Sequence, residues 1–350
     1  MINYRHPQVQ EDLKQLLEQD IPWELFREKT VLITGATGML ASYVGFTLLY
    51  LNEQLSLNIK PIFLARNKEK LEQVYGSTLS QVHCLVQDVC KPMQYEGTVD
   101  YIFHAAGAAS PYYIINDPVG IINANVQGTQ QVLELARKNQ TKNLVFASTR
   151  EVYGHVADKT SITETDMGVL DTLNPRDCYP ESKRLAEALL TAYHTQYGIN
   201  FNSMRIAHTY GPGMQIDSDG RVMSDLINDA VNTRDILLKS TGKAERAFCY
   251  ITDAVSGIFR VMLKGEATKA YNLANENEPI RIIDLANLLQ KIADNGKIVK
   301  VEVNESNSAA YTNYPRTGLD TARLNALGWS PTVGLKDGLE RTLKAFDKVK

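Results

Sequence analysis

Thr30-Val-Leu-Ile-Thr34-Gly35-Ala-Thr37-Gly38-Met39-Leu40-Ala41 is the stretch on which the reading of this chain turns. Residues 30–34 form a short apolar run with β-branched members, the pattern of a strand buried on both faces. Residues 38–50 are helix-forming and mostly apolar. Between strand and helix stand two glycines. Gly35 permits a tight turn, Gly38 lets backbone approach a pyrophosphate, and the small Ala41 allows the helix to pack closely on the strand. An anion is favoured at such a helix start, where free N–H groups and the dipole meet it. Two glycines alone would fit any plain turn. Because these leave a strand and open a helix, they predict a dinucleotide phosphate loop formed by Gly35, Thr37, Gly38, Met39 and Leu40.

Outward from this loop the alternation repeats. Residues 61–65, 83–86, 101–104 and 143–147 read as strands, and 68–75 and 128–138 as helices. Apolar strands separated by helices predict a parallel sheet covered on both faces. Right-handed crossovers make it an α/β doubly wound sheet. After about residue 205 the pattern loosens into glycine, proline and polar stretches such as 211–220, which predicts a smaller C-terminal α/β substrate-binding domain. The expected division is a helical extension over 1–28 and a dinucleotide domain over 29–205 with a return segment near 247–275. The substrate domain then takes 206–246 and 276–350. In the extension, Val9, Leu13, Leu16 and Leu17 form a helical stripe within 8–19 that Pro22 ends. Trp23, Leu25 and Phe26 are expected to pin it to the body, as a packing helix, a dimer arm or a partner-binding helix.

Composition narrows the classes. A chain of 350 residues can hold about two domain cores. With 44% hydrophobic and 22% charged residues it has the balance of a soluble globular protein, not of a disordered one. Its 37 Lys+Arg against 40 Asp+Glu, a net of -3, provide no bulk attraction to nucleic acid or anionic membrane. Cys84, Cys90, Cys178 and Cys249 are scattered, without a CxxC pair or zinc-type spacing, and read as reduced thiols of a cytoplasmic protein. No signal-peptide core and no run of about 18 apolar residues is present. No metal, nucleic-acid or membrane partner is expected.

Two further clusters carry chemistry. The end of the second strand reports on cofactor type, since an acid there binds the adenosine ribose of NAD. Here it reads Ala65-Arg66-Asn67, so Arg66 either holds the 2′-phosphate of NADP, stacks on adenine or is simply solvated, and NAD and NADP both stay open. Asp88 follows the next strand and either accepts from the adenine amino group or caps a turn. Tyr179-Pro-Glu-Ser-Lys183 places a phenol and an ammonium one helical turn apart, with Pro180 expected at the first helical position. An ammonium beside a phenol favours phenolate, which suits Tyr179 to take a proton from a carbinol while hydride leaves to a nicotinamide. In Ser148-Thr149-Arg150-Glu151, at a strand end, Thr149 is positioned to bond the reacting oxygen with Ser148 beside it, and Glu151 is a candidate acid/base. All three could equally satisfy the loop backbone.

In these motifs the chain resembles the extended short-chain dehydrogenase/reductase family of nucleotide-sugar epimerases, dehydratases and decarboxylases, over about residues 29–345. The glycine loop, Asp88-Val89, Ala105-Ala106-Gly107, Ser-Thr-x-Glu-Val-Tyr-Gly at 148–154 and Tyr-x-x-x-Lys at 179–183 occur in the family's order. Ala109-Ser110-Pro-Tyr-Tyr113 with Asp117-Pro118 is similar to the substrate loop of UDP-glucuronate decarboxylases. So are Asn174-Pro-Arg-Asp-Cys-Tyr179, Asp219-Gly-Arg221-Val222 and Arg246-Ala-Phe-Cys-Tyr250. The resemblance implies a Rossmann fold, a homodimer through paired helices, and Asp88, Val89, Ala105, Ala106, Gly107, Asn125, Tyr179 and Lys183 around the dinucleotide. It implies Ser110, Arg150, His208, Arg221 and Arg246 around a nucleotide sugar, guanidinium forks suiting a diphosphate. Three positions depart from the family: Arg150 where it carries a small or acidic residue, His208 for an asparagine and Gly213 for an arginine.

The expected reaction is oxidation of a sugar hydroxyl, at C4, by a tightly held NAD or NADP. Decarboxylation or epimerisation through the acidified C5 follows, and then return of the hydride. Arg150 cannot give up a proton, which disfavours 4,6-dehydration. The alternatives are a net NAD(P)H-dependent reductase or dehydrogenase of an activated sugar or polyol, and a dinucleotide sensor that has lost its chemistry.

Overall fold

The computed structural model describes residues 2–217, 219–302 and 316–346. Seven strands form its central sheet: β1 (Thr30–Thr34), β2 (Lys60–Ala65), β3 (His83–Val86), β4 (Tyr101–His104), β5 (Asn143–Thr149), β6 (Phe201–Ile206) and β7 (Lys269–Leu273). Their order is β7-β6-β5-β4-β1-β2-β3, every pairing parallel. The order reverses between β1 and β4, so the crevice of a doubly wound sheet opens there, above the carboxyl ends of the strands. Register fixes which residues rim it, since Thr34 lies level with both Leu64 and His104. The continuous apolar runs are explained by burial on both faces. Val31, Ile33 and Phe103 join one core, whereas Leu32, Ile62 and Ile102 join the other.

The helices carry the rest of the chain: α1 (Pro7–Leu17), α2 (Met39–Leu55), α3 (Lys68–Tyr75), α4 (Pro111–Asn116), α5 (Pro118–Asn139) and α6 (Cys178–Tyr197), then α7 (Val222–Val231), α8 (Ile251–Lys264), α9 (Ile282–Ala293) and α10 (Leu335–Phe346). Two boundaries differ from the sequence expectation. α5 begins at Pro118, ten residues early, because Asp117 accepts from Gly120 N–H as its cap and Ile121 and Asn125 are buried on its inner face ahead of Gly128. α6 begins at Cys178 rather than at Pro180. Proline is tolerated there because N–H groups of a first turn have no helical partner to lose.

The N-terminal stripe packs inward. Val9, Leu13 and Leu16 are buried with Trp23 and Phe26, while Leu25 is half exposed and does not pin the segment. Buried Asp12 on the same helix accepts from Tyr43 Oη and Tyr250 Oη, each at 2.9 Å, and from Arg341 Nη1 at 3.2 Å. One carboxylate thus ties α1 to α2, to the start of α8 and to α10. All four cysteines are free thiols. No described helix is long and apolar enough to cross a membrane, and among the described residues no cluster suits a metal ion.

Candidate active site

The glycine loop is built as a cradle. Gly35 has φ +68°, and a Cβ there would lie 2.9 Å from the Ala105 carbonyl oxygen, so a side chain is excluded both by conformation and by space. Gly38 caps α2 without any side-chain bond to its first N–H groups, which leaves the helix start open to an anion. Met39 and Leu40 are its first two residues. Ala105, Ala106 and Gly107 continue β4 opposite this loop, and both Ala105 and Ala106 donate N–H to Thr34 Oγ1 at 3.1 Å. Beneath them Asn125 is fully buried, with its amide donating to Ser182 Oγ at 2.9 Å and its Oδ1 without a partner. That orphaned oxygen, the bare glycines and the open helix start fit a dinucleotide.

Sequence reasoning missed the support of this floor. Thr34 Oγ1 and His104 Nδ1 are 2.7 Å apart, His104 Nε2 is 3.1 Å from Thr129 Oγ1, and Thr129 bonds the Asn125 carbonyl. Burial, with a contribution from the Lys183 charge, pushes His104 down to about 3, so it is neutral and serves as a relay of fixed bonds. The signal was a histidine ending a strand, which by itself says little.

Tyr179 and Lys183 lie on the inner face of α6, both buried. Thr149, the last residue of β5, is within hydrogen-bonding reach of the phenol. Burial raises Tyr179 well above its ordinary range, helped by the Glu151 charge. Thr149 and the guanidinium groups of Arg221 and Arg176 pull it back. The expectation that Lys183 depresses the phenol is not what this geometry delivers. The Lys183 ammonium instead donates to the Ala147 carbonyl at 2.7 Å and stands 4.4 Å over the Phe146 ring. Burial lowers Lys183 to about 7, and Glu187, one turn further on, opposes that fall. Ser148 does not join Thr149: its hydroxyl donates to Glu187 at 2.6 Å, and Glu187 also takes Arg205 at 2.7 Å. Glu151 is held by Arg176 at 3.1 Å on a partly exposed rim.

Four guanidinium groups converge beside this triad. Arg150 Nη1 lies 3.3 Å from His208 Nε2, and Arg150 Nη2 donates to the Thr317 carbonyl at 3.2 Å. His208 is pushed down to about 3 by burial and by Arg150, Arg246, Arg316 and Arg221 together, so the imidazole is neutral and accepts from Arg150. Its backbone is left-handed, φ +39°. Arg221 is bidentate on buried Asp219, and Arg316 pairs with Glu276, whereas Arg246 donates to the Glu245 carbonyl. Arg150 and Arg246 have no carboxylate in ion-pairing distance among the described residues. Buried Ser110 starts α4, and Gly220 packs on Pro111 beside it, which brings that loop to Arg221. Arg316 was not foreseen. It follows a polar stretch with no periodicity and reaches the cluster only through the tertiary fold.

At the adenosine side, Asp88 accepts from Cys90 N–H at 2.8 Å, the turn-capping role left open above, and buried Val89 packs against Gly128. Arg66 is exposed and makes no ion pair among the described residues.

The profile of the NAD dependent epimerase/dehydratase family matches residues 31–274. UDP-glucuronic acid decarboxylase 6 of Arabidopsis thaliana is 32% identical over 309 residues, covering 88% of this chain and 86% of that protein. UDP-glucuronic acid decarboxylase 1 of Xenopus tropicalis is 31% identical over 91% of this chain and 72% of its own length. Among solved structures, UDP-glucuronic acid 4-epimerase from Bacillus cereus in complex with NAD superposes with a TM-score of 0.72 at 21% identity, covering 91% of this chain and 98% of that one. With a glycine cradle opposite β4, a buried tyrosine and lysine above it and a match across most of its length, the chain belongs to the NAD-dependent epimerase/dehydratase family.

Proposed function

We propose that this protein oxidises a hydroxyl of a nucleotide-bound sugar, at C4, and completes a decarboxylation or epimerisation at C5 before re-reducing the ketone. The observation that carries it is one arrangement: Tyr179 with Thr149 and Lys183 at a dinucleotide cradle, beside four guanidinium groups of which Arg150 and Arg246 have no carboxylate within ion-pairing distance among the described residues. A bound nicotinamide supplies the place where a hydride is stored and from which it returns. Tyr179 takes the hydroxyl proton, Thr149 bonds the same oxygen, and Lys183, tied to the Ala147 carbonyl, holds α6 against the end of β5 beside them. The glycine loop, Ala105–Gly107 side and Asn125 hold the dinucleotide. Arg221 and Arg246, with Ser110 on the facing loop, bind the diphosphate and nucleotide.

Arg150, steadied by neutral His208 and the Thr317 carbonyl, faces an anionic group of the sugar. A 4-ketone acidifies C5, so a carboxylate there leaves as CO2, or the C5 proton is exchanged. Because a guanidinium does not give up a proton, elimination of a 6-hydroxyl lacks its acid at position 150. Glu151, bridged to Arg176, acts from the rim by its charge on Tyr179.

The division into an N-terminal extension, a dinucleotide domain to about residue 205 and a substrate domain fits this scheme, with α8 and β7 returning to the sheet. A homodimer is supported by α5 and α6, which lie side by side and expose Val119, Ile122 and Leu185 on their outer faces. Free thiols support a cytoplasmic site of action. A second reading, net reduction of an activated sugar with NADPH, is favoured by Arg66 alone.

Incubation with UDP-glucuronate and with other UDP-, CDP- and dTDP-sugars, read by mass spectrometry and nicotinamide absorbance, tests the scheme. Product with no net nicotinamide oxidation is expected, and Tyr179→Phe should keep the dinucleotide yet lose turnover. One equivalent of nicotinamide consumed per product would establish the second reading, and unchanged turnover in the variant would remove Tyr179 from the chemistry.

A further inference from the structure

We propose that the N-terminal helix α1 is a brace between the two halves of the site, and that Asp12 is its positioning residue, fixing the phosphate helix α2 against the strand that carries Arg246. The inference rests on the dinucleotide and nucleotide-sugar reading and gives a role to a segment outside the family match, which begins at residue 31. Asp12 has no exposed surface. Tyr43 Oη and Tyr250 Oη both donate to its Oδ2 at 2.9 Å, while Gln8 Nε2 and Arg341 Nη1 donate to Oδ1 at 3.3 Å and 3.2 Å.

The two tyrosines come from opposite sides of the site. Tyr43 lies one turn inside α2, whose uncapped start is the end offered to the dinucleotide phosphates. Tyr250 stands four residues after Arg246 and caps the start of α8. Its short strand, Cys249–Tyr250, pairs in parallel with Thr209–Tyr210, and Cys249 N–H donates to the His208 carbonyl at 3.1 Å. Arg246 and His208 therefore lead into two paired strands that both end on buried tyrosines. Tyr250 is tied to Asp12, and Tyr210 Oη donates to the Leu335 carbonyl at 3.2 Å, at the start of the helix that bears Arg341. The rings of Tyr210 and Tyr250 meet edge to face, with centroids 5.6 Å apart.

Packing alone does not call for this carboxylate. Val9, Leu13 and Leu16 already bury the apolar stripe of α1. Taking a carboxylate out of water is costly, and apolar residues of similar volume commonly serve a core as well as a buried ion pair does. What the carboxylate adds is directional: donors from α2, from the start of α8 and from α10 converge on two oxygens at distances that apolar contacts would not enforce. Transfer between two bound ligands is sensitive to their separation, a misplacement of about 1 Å costing up to about a hundredfold in rate.

Tyr43→Phe and Tyr250→Phe each delete one hydroxyl and keep the ring. Calorimetric titration of the full chain, freed of retained dinucleotide, with NAD and with the tightest of UDP, CDP and dTDP reads the two sides separately. Tyr43→Phe should weaken NAD about fivefold, the scale of one lost hydrogen bond, and leave the nucleoside diphosphate within about twofold. Tyr250→Phe should do the reverse, and Asp12→Asn should weaken both. Melting temperatures show which variants are folded, and the two tyrosine variants decide the matter if Asp12→Asn is not. A helix that only stabilises the fold would lower melting temperatures and leave both affinities at their wild-type values. That result overturns the proposal, as does an equal loss on both sides in each tyrosine variant, and either leaves the site reading intact. If the wild-type chain binds neither NAD nor any of the nucleoside diphosphates, both fall together.

Discussion

Lys183→Met should make the dinucleotide-free protein more stable, and by an amount that depends on pH. Lys183 is 5% exposed, and burial brings its ammonium from 10.5 down to about 7. Each pH unit of that displacement is worth about 1.4 kcal/mol, so keeping this side chain charged costs the fold about 5 kcal/mol at pH 6. Between pH 7 and 10.5 the unfolded chain binds the proton that the folded chain has released, so wild-type stability rises with pH across that window. The cost is down to about 2 kcal/mol at pH 9. Methionine keeps the buried stem but loses the bond to the Ala147 carbonyl, a loss of about 1 kcal/mol. The variant should therefore gain about 4 kcal/mol at pH 6 and about 1 kcal/mol at pH 9. Urea unfolding followed by circular dichroism at the two pH values measures both numbers, and all other titrating groups are shared between the proteins. A difference that does not change with pH, or a variant less stable than wild type at pH 6, would refute the reasoning. Stability gained by removing a functional charge is the expected cost of a site built for chemistry.

Asp12→Ala should destabilise the protein by about 2–5 kcal/mol in the same unfolding assay, because it strands two buried tyrosine hydroxyls at once, while Arg341 keeps its bidentate pair with Asp337. Asp12→Asn should recover part of that loss. Leu185→Glu, on the 49% exposed outer face of α6, should leave unfolding free energy nearly unchanged yet convert a dimer to a monomer by light scattering. A variant that stays dimeric would move the interface elsewhere.

Much of the fold was legible because it rests on short-range rules. The runs that became β1, β3 and β4 end where their apolar patterns end, and α3 fills the stretch capped by Asn67. Boundaries failed where local and tertiary preferences diverge. β5 runs on through Ser148 and Thr149, polar residues satisfied by Glu187 of α6, which accepts from Ser148, and by the Glu151 N–H, which donates to Thr149. Leu25 reads as an anchor but stays exposed, since Trp23 and Phe26 on the same turn take the inward positions.

The site divides in the same way. Two glycines between a strand and a helix, and a tyrosine and lysine one turn apart, were set by the sequence alone, because φ requirements and helical periodicity are local. What the tertiary structure decided is the electrical state of those groups. Lys183 is bound to the Ala147 carbonyl and opposed by desolvation, and His208 is neutral because four arginines from distant segments surround it. Desolvation and long-range charge arise only when remote pieces of chain pack together. The opening stretch from Thr30 to Ala41 could therefore announce a cradle for phosphates, but not what the groups above it would do with a proton.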